Sequence, residues 1–220
     1  TLDILSENIG QPGELFPIKV NKGIFTSSNG LIKIDNSYYK LVPLSFSKQG
    51  QYVVFEDTKI FIQNKDFGES RITITNNALV NLSDEDKDRT IRESKIINKA
   101  LQTYSKKMKP TFSFISPVDG IISSRYGKKR FINNSPRSPH LALDIAAPEG
   151  TKVLSPEDGK VILIGNFFYS GNFLIIDHGQ GLLSSYSHLS SISVSEDDIL
   201  KQGQETVSYT HLRAHETTCD

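Results

Sequence analysis

The stretch His140–Val161, HLALDIAAPEGTKVLSPEDGKV, decides the fold. Its runs LALDIA (141–146), TKVLS (151–155) and the start of GKVILIG (159–165) have the length and composition of strands, and Glu149-Gly150 and Asp158-Gly159 separate them as turns. The same pattern continues outward. FSFIS and GIISSR lie upstream, and NFLIID and LLSSYSH lie downstream, with turn signals at Asp119-Gly120 and Gly179-Gln180-Gly181. Residues 110–205 therefore read as one antiparallel β-sheet domain.

Ahead of it the periodicity changes. Ser83 followed by Asp84, Glu85 and Asp86 is a capping-box start, and Ile91, Ile96, Ile97, Ala100, Leu101 and Tyr104 recur at helical spacing. Lys106, Lys107 and Lys109 suit the negative end of a helix dipole, and Pro110 ends the run. Residues 81–109 are thus predicted as a linker helix. Before that, LIKI, YYKLVPL, YVVF, KIFIQ and RITIT alternate with turn signals at Asn29-Gly30, Asn36-Ser37 and Gln49-Gly50. They predict a small, mostly antiparallel β module over residues 1–80. The fold class is mainly β.

Composition narrows the function. Lysine plus arginine equal aspartate plus glutamate at 25 each, so no net field draws the chain of 220 residues to nucleic acid or an anionic membrane. No apolar run approaches the roughly 20 residues that span a bilayer, so no stable membrane insertion is expected. Cys219 is the single cysteine, which excludes an internal disulfide or a cysteine-built zinc site. Thr1 opens the chain without a charged and then apolar leader, and a signal peptide is expected to be absent from this fragment.

The histidines are His140, His178, His188, His211 and His215. His140 stands four residues before Asp144, and imidazole nitrogen and carboxylate oxygen are ordinary zinc ligands. On a fully extended strand the two would lie about 13 Å apart, so a shared ion requires the segment to bend. Spacing alone favours an ordinary hydrogen bond over a metal site. His178 sits in the turn-like IDHGQG and reads as structural, whereas Tyr186, two residues before His188, suits either a cleft wall or packing.

From Phe114 to about Gln204 the chain resembles the LytM/lysostaphin-like zinc metallopeptidases, the peptidoglycan endopeptidases of peptidase family M23. SPVDGIISSRYG (116–127) is similar to the family's entry strands, and HLALDIAAPEGTKVLSPEDGKV to its H-x-x-x-D metal motif and following hairpin. GNFLIIDHGQGLLSSYSHLS (171–190) resembles the segment ending in Y-x-H-L, and KQGQ (201–204) the final hairpin. The resemblance implies a barrel-sandwich peptidase domain, His140 and Asp144 as two Zn2+ ligands, and His188 as one of two catalytic histidines. It also implies a third ligand and a second histidine from a later H-x-H motif. Where the family usually has glycine this chain has Ala142, which would be strained if the bend needs a positive φ.

After Gln204 that pattern stops. VSYTHLRAHET (207–217) resembles a translated sequencing-library adapter, so residues 206–220 are set apart as a non-native tail. His211 and His215 have the i, i+4 spacing of a zinc pair on a helix, yet they and Cys219 stay outside the predicted site. With two ligands left, the chain as written is expected to bind zinc poorly and to lack useful activity, and the lost hairpin to expose a strand edge. The resemblance implies a periplasmic or extracellular enzyme acting on peptidoglycan peptides, with cell-division or cell-wall hydrolase proteins as candidate partners. A degenerate, non-catalytic domain that binds cell wall or regulates a hydrolase is the alternative. A carrier fold modified at Lys160 would leave His140, Asp144 and His188 unexplained.

Overall fold

The computed structural model describes residues 8–20, 31–34, 36–73 and 82–208. The chain divides into two compact units at Gly68/Glu69.

The first unit holds β1 (Asn8–Gly10), β2 (Leu15–Val20), β3 (Leu31–Ile34), β4 (Ser37–Pro43), β5 (Tyr52–Phe55) and β6 (Thr58–Ile62). β4 is the centre of an antiparallel sheet ordered β2-β4-β3. β6 pairs antiparallel with β5 and parallel with β1, so the described part of this unit is mostly antiparallel, as expected. Val42, Leu44, Ile60 and Ile62 form its core, with Phe16, Ile18, Val53 and Phe55 packed around them. Burying such side chains stabilises by about 1.5 to 3 kcal/mol each. The turn signal at Asn29-Gly30 lies outside the described residues.

The second unit begins with β7 (Glu69–Ile72), whose last two residues open the run RITIT that the sequence placed in the first module. β7 pairs parallel with β9 (Lys129–Ile132), which also pairs with β10 (Ser135–Arg137), so it belongs with the second unit. β8 (Ile121–Ser124) and β11 (Asp144–Ala146) form a separate two-stranded ribbon. The larger frame is a four-stranded sheet ordered β15-β14-β13-β17, formed by β13 (Gly159–Phe167), β14 (Gly171–Gly179), β15 (Leu182–Leu189) and β17 (Ile199–Leu200). β12 (Lys152–Leu154), β18 (Glu205–Ser208) and β16 (Ser191–Ile192) form a second sheet in the order β12-β18-β16.

β14 explains the continuous apolar run NFLIID, because both of its faces are covered. Leu174 and Ile176 join Val153, Val161, Leu189, Leu200 and Val207 in a core shared with the β12-β18-β16 sheet. Phe173 and Ile175, on the alternate face, pack with Phe167 against Ile97 and Ala100. Those last two residues belong to α1 (Asp84–Leu101), the helix predicted as a linker, which here packs on the second unit's own sheet. Ser83 caps the helix as read, its Oγ accepting from the Asp86 N–H at 3.1 Å and donating to the Asp86 carboxylate at 2.8 Å. Glu93 then ties the helix to the β13–β14 turn, accepting from the Phe168 N–H and from Arg89 Nε, each at 2.6 Å.

Thr206 and Val207 are fully buried in β18, where Thr206 Oγ1 donates to the Val153 carbonyl at 3.0 Å. The first residues of the stretch set apart as a tail are therefore structural in this unit. His211, His215 and Cys219 lie outside the described residues.

Candidate functional site

The backbone of His140 is held on both sides by the loop before β9. Its N–H donates to the Lys128 carbonyl at 2.9 Å, and its carbonyl accepts from the Gly127 N–H at 2.6 Å. From there the chain bends at Ala142 and enters β11 at Asp144. The bend is the one a shared site requires, and Ala142 is not among the residues with positive φ, so alanine carries no left-handed strain there. β11 then pairs with β8 through an irregular register at Asp144/Ile145, a bulge that helps aim the aspartate.

The bend brings His140 Nε2 to 3.1 Å from Asp144 Oδ2. Nε2 is buried, and the Asp144 carboxylate is the group that faces it. Two ligands at about 2.0 to 2.2 Å from one tetrahedral ion stand about 3.4 Å apart, so the pair fits two corners of a zinc site. The exposures agree with that geometry: the His140 side chain is 5% exposed and that of Asp144 48%, a closed wall and an open mouth. Burial, helped by the Arg130 charge and opposed by Asp144, holds the His140 pKa below its ordinary value. A neutral imidazole is the form that ligates metal. On the other side of the ring, Arg130 Nη2 stands 2.5 Å from Nδ1.

His188 is placed by a different device. Between the pairs Asn172↔Leu189 and Leu174↔Tyr186 the β14–β15 ladder gains a residue on β15, and His188 adopts φ +58° in this bulge. Its N–H turns out of the ladder to the Ser170 carbonyl at 2.7 Å. The Asn172 amide fixes the next residues by donating to the Leu189 and Ser190 carbonyls at 2.9 and 3.0 Å. A left-handed histidine is uncommon and costs of order 1 kcal/mol, and strain of this kind gathers at functional positions. The bulge also breaks the alternation that would put Tyr186 and His188 on one face. Tyr186 packs against the core, and burial pushes its phenol up to about 12 despite the Ser184 hydrogen bond. Packing is its role.

His178 is structural as read: it is fully buried, with Nδ1 at 2.9 Å from the Asp158 carbonyl and Nε2 at 2.8 Å from Ser184 Oγ. Among the described residues no group of three or more His, Cys, Asp or Glu is arranged to hold a metal, so His140 and Asp144 stand as a pair. Arg130 was missed by the sequence reading. It lies in the basic run KKR (128–130), which carries no signal of a partner ten residues away.

Two β-sheets share one core, and a histidine–aspartate pair stands on the bent segment beside them. Residues 138–214 match peptidase family M23, and the chain carries a peptidase M23 domain of LytM-like type. Peptidoglycan DD-endopeptidase ShyA of Vibrio cholerae is 37% identical over 91 residues, covering 40% of this chain and 21% of that protein. Murein hydrolase activator NlpD of Salmonella dublin is 31% identical over 90 residues, 40% of this chain and 22% of that one. A crystal structure described as peptidase M23 from Pseudomonas aeruginosa superimposes with TM-score 0.65 at 25% identity, over 90% of this chain and 81% of the other. The matches thus span about a fifth of the length of these curated relatives.

Proposed function

We propose that the second unit is the catalytic unit of a zinc endopeptidase that hydrolyses peptide bonds in peptidoglycan stem peptides or cross-links, in the periplasm or outside the cell. The observation that carries this is the His140–Asp144 pair, with the buried Nε2 3.1 Å from the carboxylate, inside the segment matching peptidase family M23. His140 and Asp144 would hold the zinc, which when bound supplies Lewis acidity toward a carbonyl and a more acidic water. Asp144, half exposed, brings a negative charge to the mouth of the site, while the wall at His140 excludes solvent. His188 is assigned to proton transfer or to steadying developing negative charge, with the bulge fixing its direction.

With two protein ligands among the described residues, zinc is expected to bind more weakly than at a three-ligand catalytic site. A second reading has one observation in its favour: a relative with comparable identity is an activator of murein hydrolases. On that reading the unit binds cell wall or a hydrolase and cuts nothing. Zinc titration against a chromophoric chelator, with sedimentation on purified sacculi, separates the two. The endopeptidase reading predicts one zinc per chain, lost in Asp144→Ala and unchanged in His188→Ala. Retention on sacculi with no zinc uptake at saturating metal would establish the binding module instead.

A further inference from the structure

The chain has no net charge, yet residues 120–143 hold five cations, Arg125, Lys128, Lys129, Arg130 and Arg137, and no aspartate or glutamate. That stretch carries His140 and stops one residue short of Asp144. Folding brings three of these cations beside the candidate site. Arg125 follows Ser124, the β8 residue paired with Asp144. The Lys128 carbonyl accepts the His140 N–H at 2.9 Å. Arg137 stands directly across the β9–β10 ladder from Arg130, whose Nη2 lies beside the His140 ring, and residues opposite one another in a ladder point to the same face. Arg125 and Arg137 are exposed and Lys128 is half-buried. Among the described residues no ion pair engages any of the three. Two arginines opposed across a ladder repel, a cost that an anion between them removes. Lys129 is different: adjacent strand residues point to opposite faces, so it lies away from Arg130 and Arg137, opposite Glu69 of β7.

We propose that Arg125, Lys128 and Arg137 form a cationic rim that binds a free carboxylate of the substrate peptide, so that the second unit selects anionic stem peptides over amidated ones. The assignment deepens the peptidoglycan reading above and rests on it. A peptide that is not fully cross-linked ends in a carboxylate, and Asp144, half exposed at the mouth of the site, would by itself repel that group. The rim offsets the repulsion. It draws the carboxylate toward the β9–β10 hairpin and leaves the rest of the peptide to lie along the His140–Asp144 pair. A guanidinium fork takes both oxygens of a carboxylate, and it would take a phosphate equally well. Position favours the carboxylate: the rim adjoins residues assigned to act on a peptide, so its anion belongs to that same molecule.

The test is co-sedimentation of the full chain with purified sacculi, chelator being present so that nothing is cut. The comparison is with the same sacculi after carbodiimide and ammonia have turned their carboxylates into amides. The wild type should bind the amidated sacculi about tenfold more weakly, the scale of three exposed ion pairs together. Added salt should weaken binding to the native sacculi only. Arg125→Gln, Lys128→Gln and Arg137→Gln, combined in a variant of unchanged thermal melting, should abolish the preference, and each alone should lower it about twofold. Arg125→Lys with Arg137→Lys should keep most of it, and Lys129→Gln should leave it as it is. Equal binding of the wild type to both kinds of sacculi, or a combined variant that still prefers the native kind, would overturn the proposal and leave the peptidoglycan reading standing. No retention on either kind would overturn that reading and the rim with it. Tighter binding to phosphatidylglycerol vesicles or to DNA than to native sacculi would make phosphate the ligand and would also overturn the proposal.

Discussion

Replacing His188 by glycine and by alanine gives a pair of variants whose difference isolates the backbone. Both remove the imidazole and whatever it contacts, so that loss cancels between them. At an ordinary strand position glycine is less stable than alanine by about 0.5 to 1 kcal/mol, because it has more backbone freedom to lose. At φ +58° the order should invert, since a Cβ in the left-handed region costs about 1 to 2 kcal/mol and glycine has none. The bulge itself should persist in both, anchored by the His188 N–H to Ser170 and by the Asn172 amide to the two carbonyls that follow. The balance favours glycine by about 0.5 to 1 kcal/mol. For a unit of roughly 150 residues this raises Tm by about 1 to 4 °C over the alanine variant. Thermal unfolding followed by circular dichroism, with urea midpoints as a check, reads the difference. An alanine variant as stable as the glycine variant, or more so, would refute the left-handed bulge and with it the argument that His188 is deliberately aimed.

Glu93→Ala should destabilise by about 2 to 3 kcal/mol, because it removes a charged acceptor from the Phe168 N–H as well as the Arg89 pair; a true linker helix would lose little. Burial alone would raise the Glu93 pKa, but the Phe168 N–H and Arg89 outweigh it and hold the carboxyl below its usual range. The folded value being the lower one, this stabilisation is complete above the unfolded pKa of about 4.3 and lost as pH falls through the folded value, a slope that Glu93→Gln should flatten in melts between about pH 6 and 3. Val207→Ala should cost about 2 kcal/mol in urea unfolding, since Val207 is fully buried in the sandwich core; a surface-like value would show that β18 is not part of the fold.

Most strands of both units were legible because their turns are written in residues that fix backbone geometry, as at Asp158-Gly159, and because β14 reads as apolar on both faces, whereas FSFIS (112–116) forms no strand and LALDIA becomes one only from Asp144. The helix was legible from Ser83 and its periodicity. Its destination was not, since Ile97 and Ala100 could cover any apolar face and Glu93 looks like an ordinary solvated carboxylate. The run RITIT carries no mark of the strand it joins, and its pairing with β9 is a long-range choice that local propensity cannot encode. At the site, the His140–Asp144 spacing stated the need for a bend, and Ala142 meets it with negative φ. The bulge at His188 and the guanidinium on His140 were invisible because each depends on register between distant segments.

The most direct test of the zinc assignment is anomalous diffraction at the zinc edge from zinc-soaked crystals of the chain. The account predicts a peak about 2.0 to 2.2 Å from both His140 Nε2 and the Asp144 carboxylate, absent in Asp144→Ala. Ordered zinc elsewhere, with none at this pair under saturating metal, would contradict it.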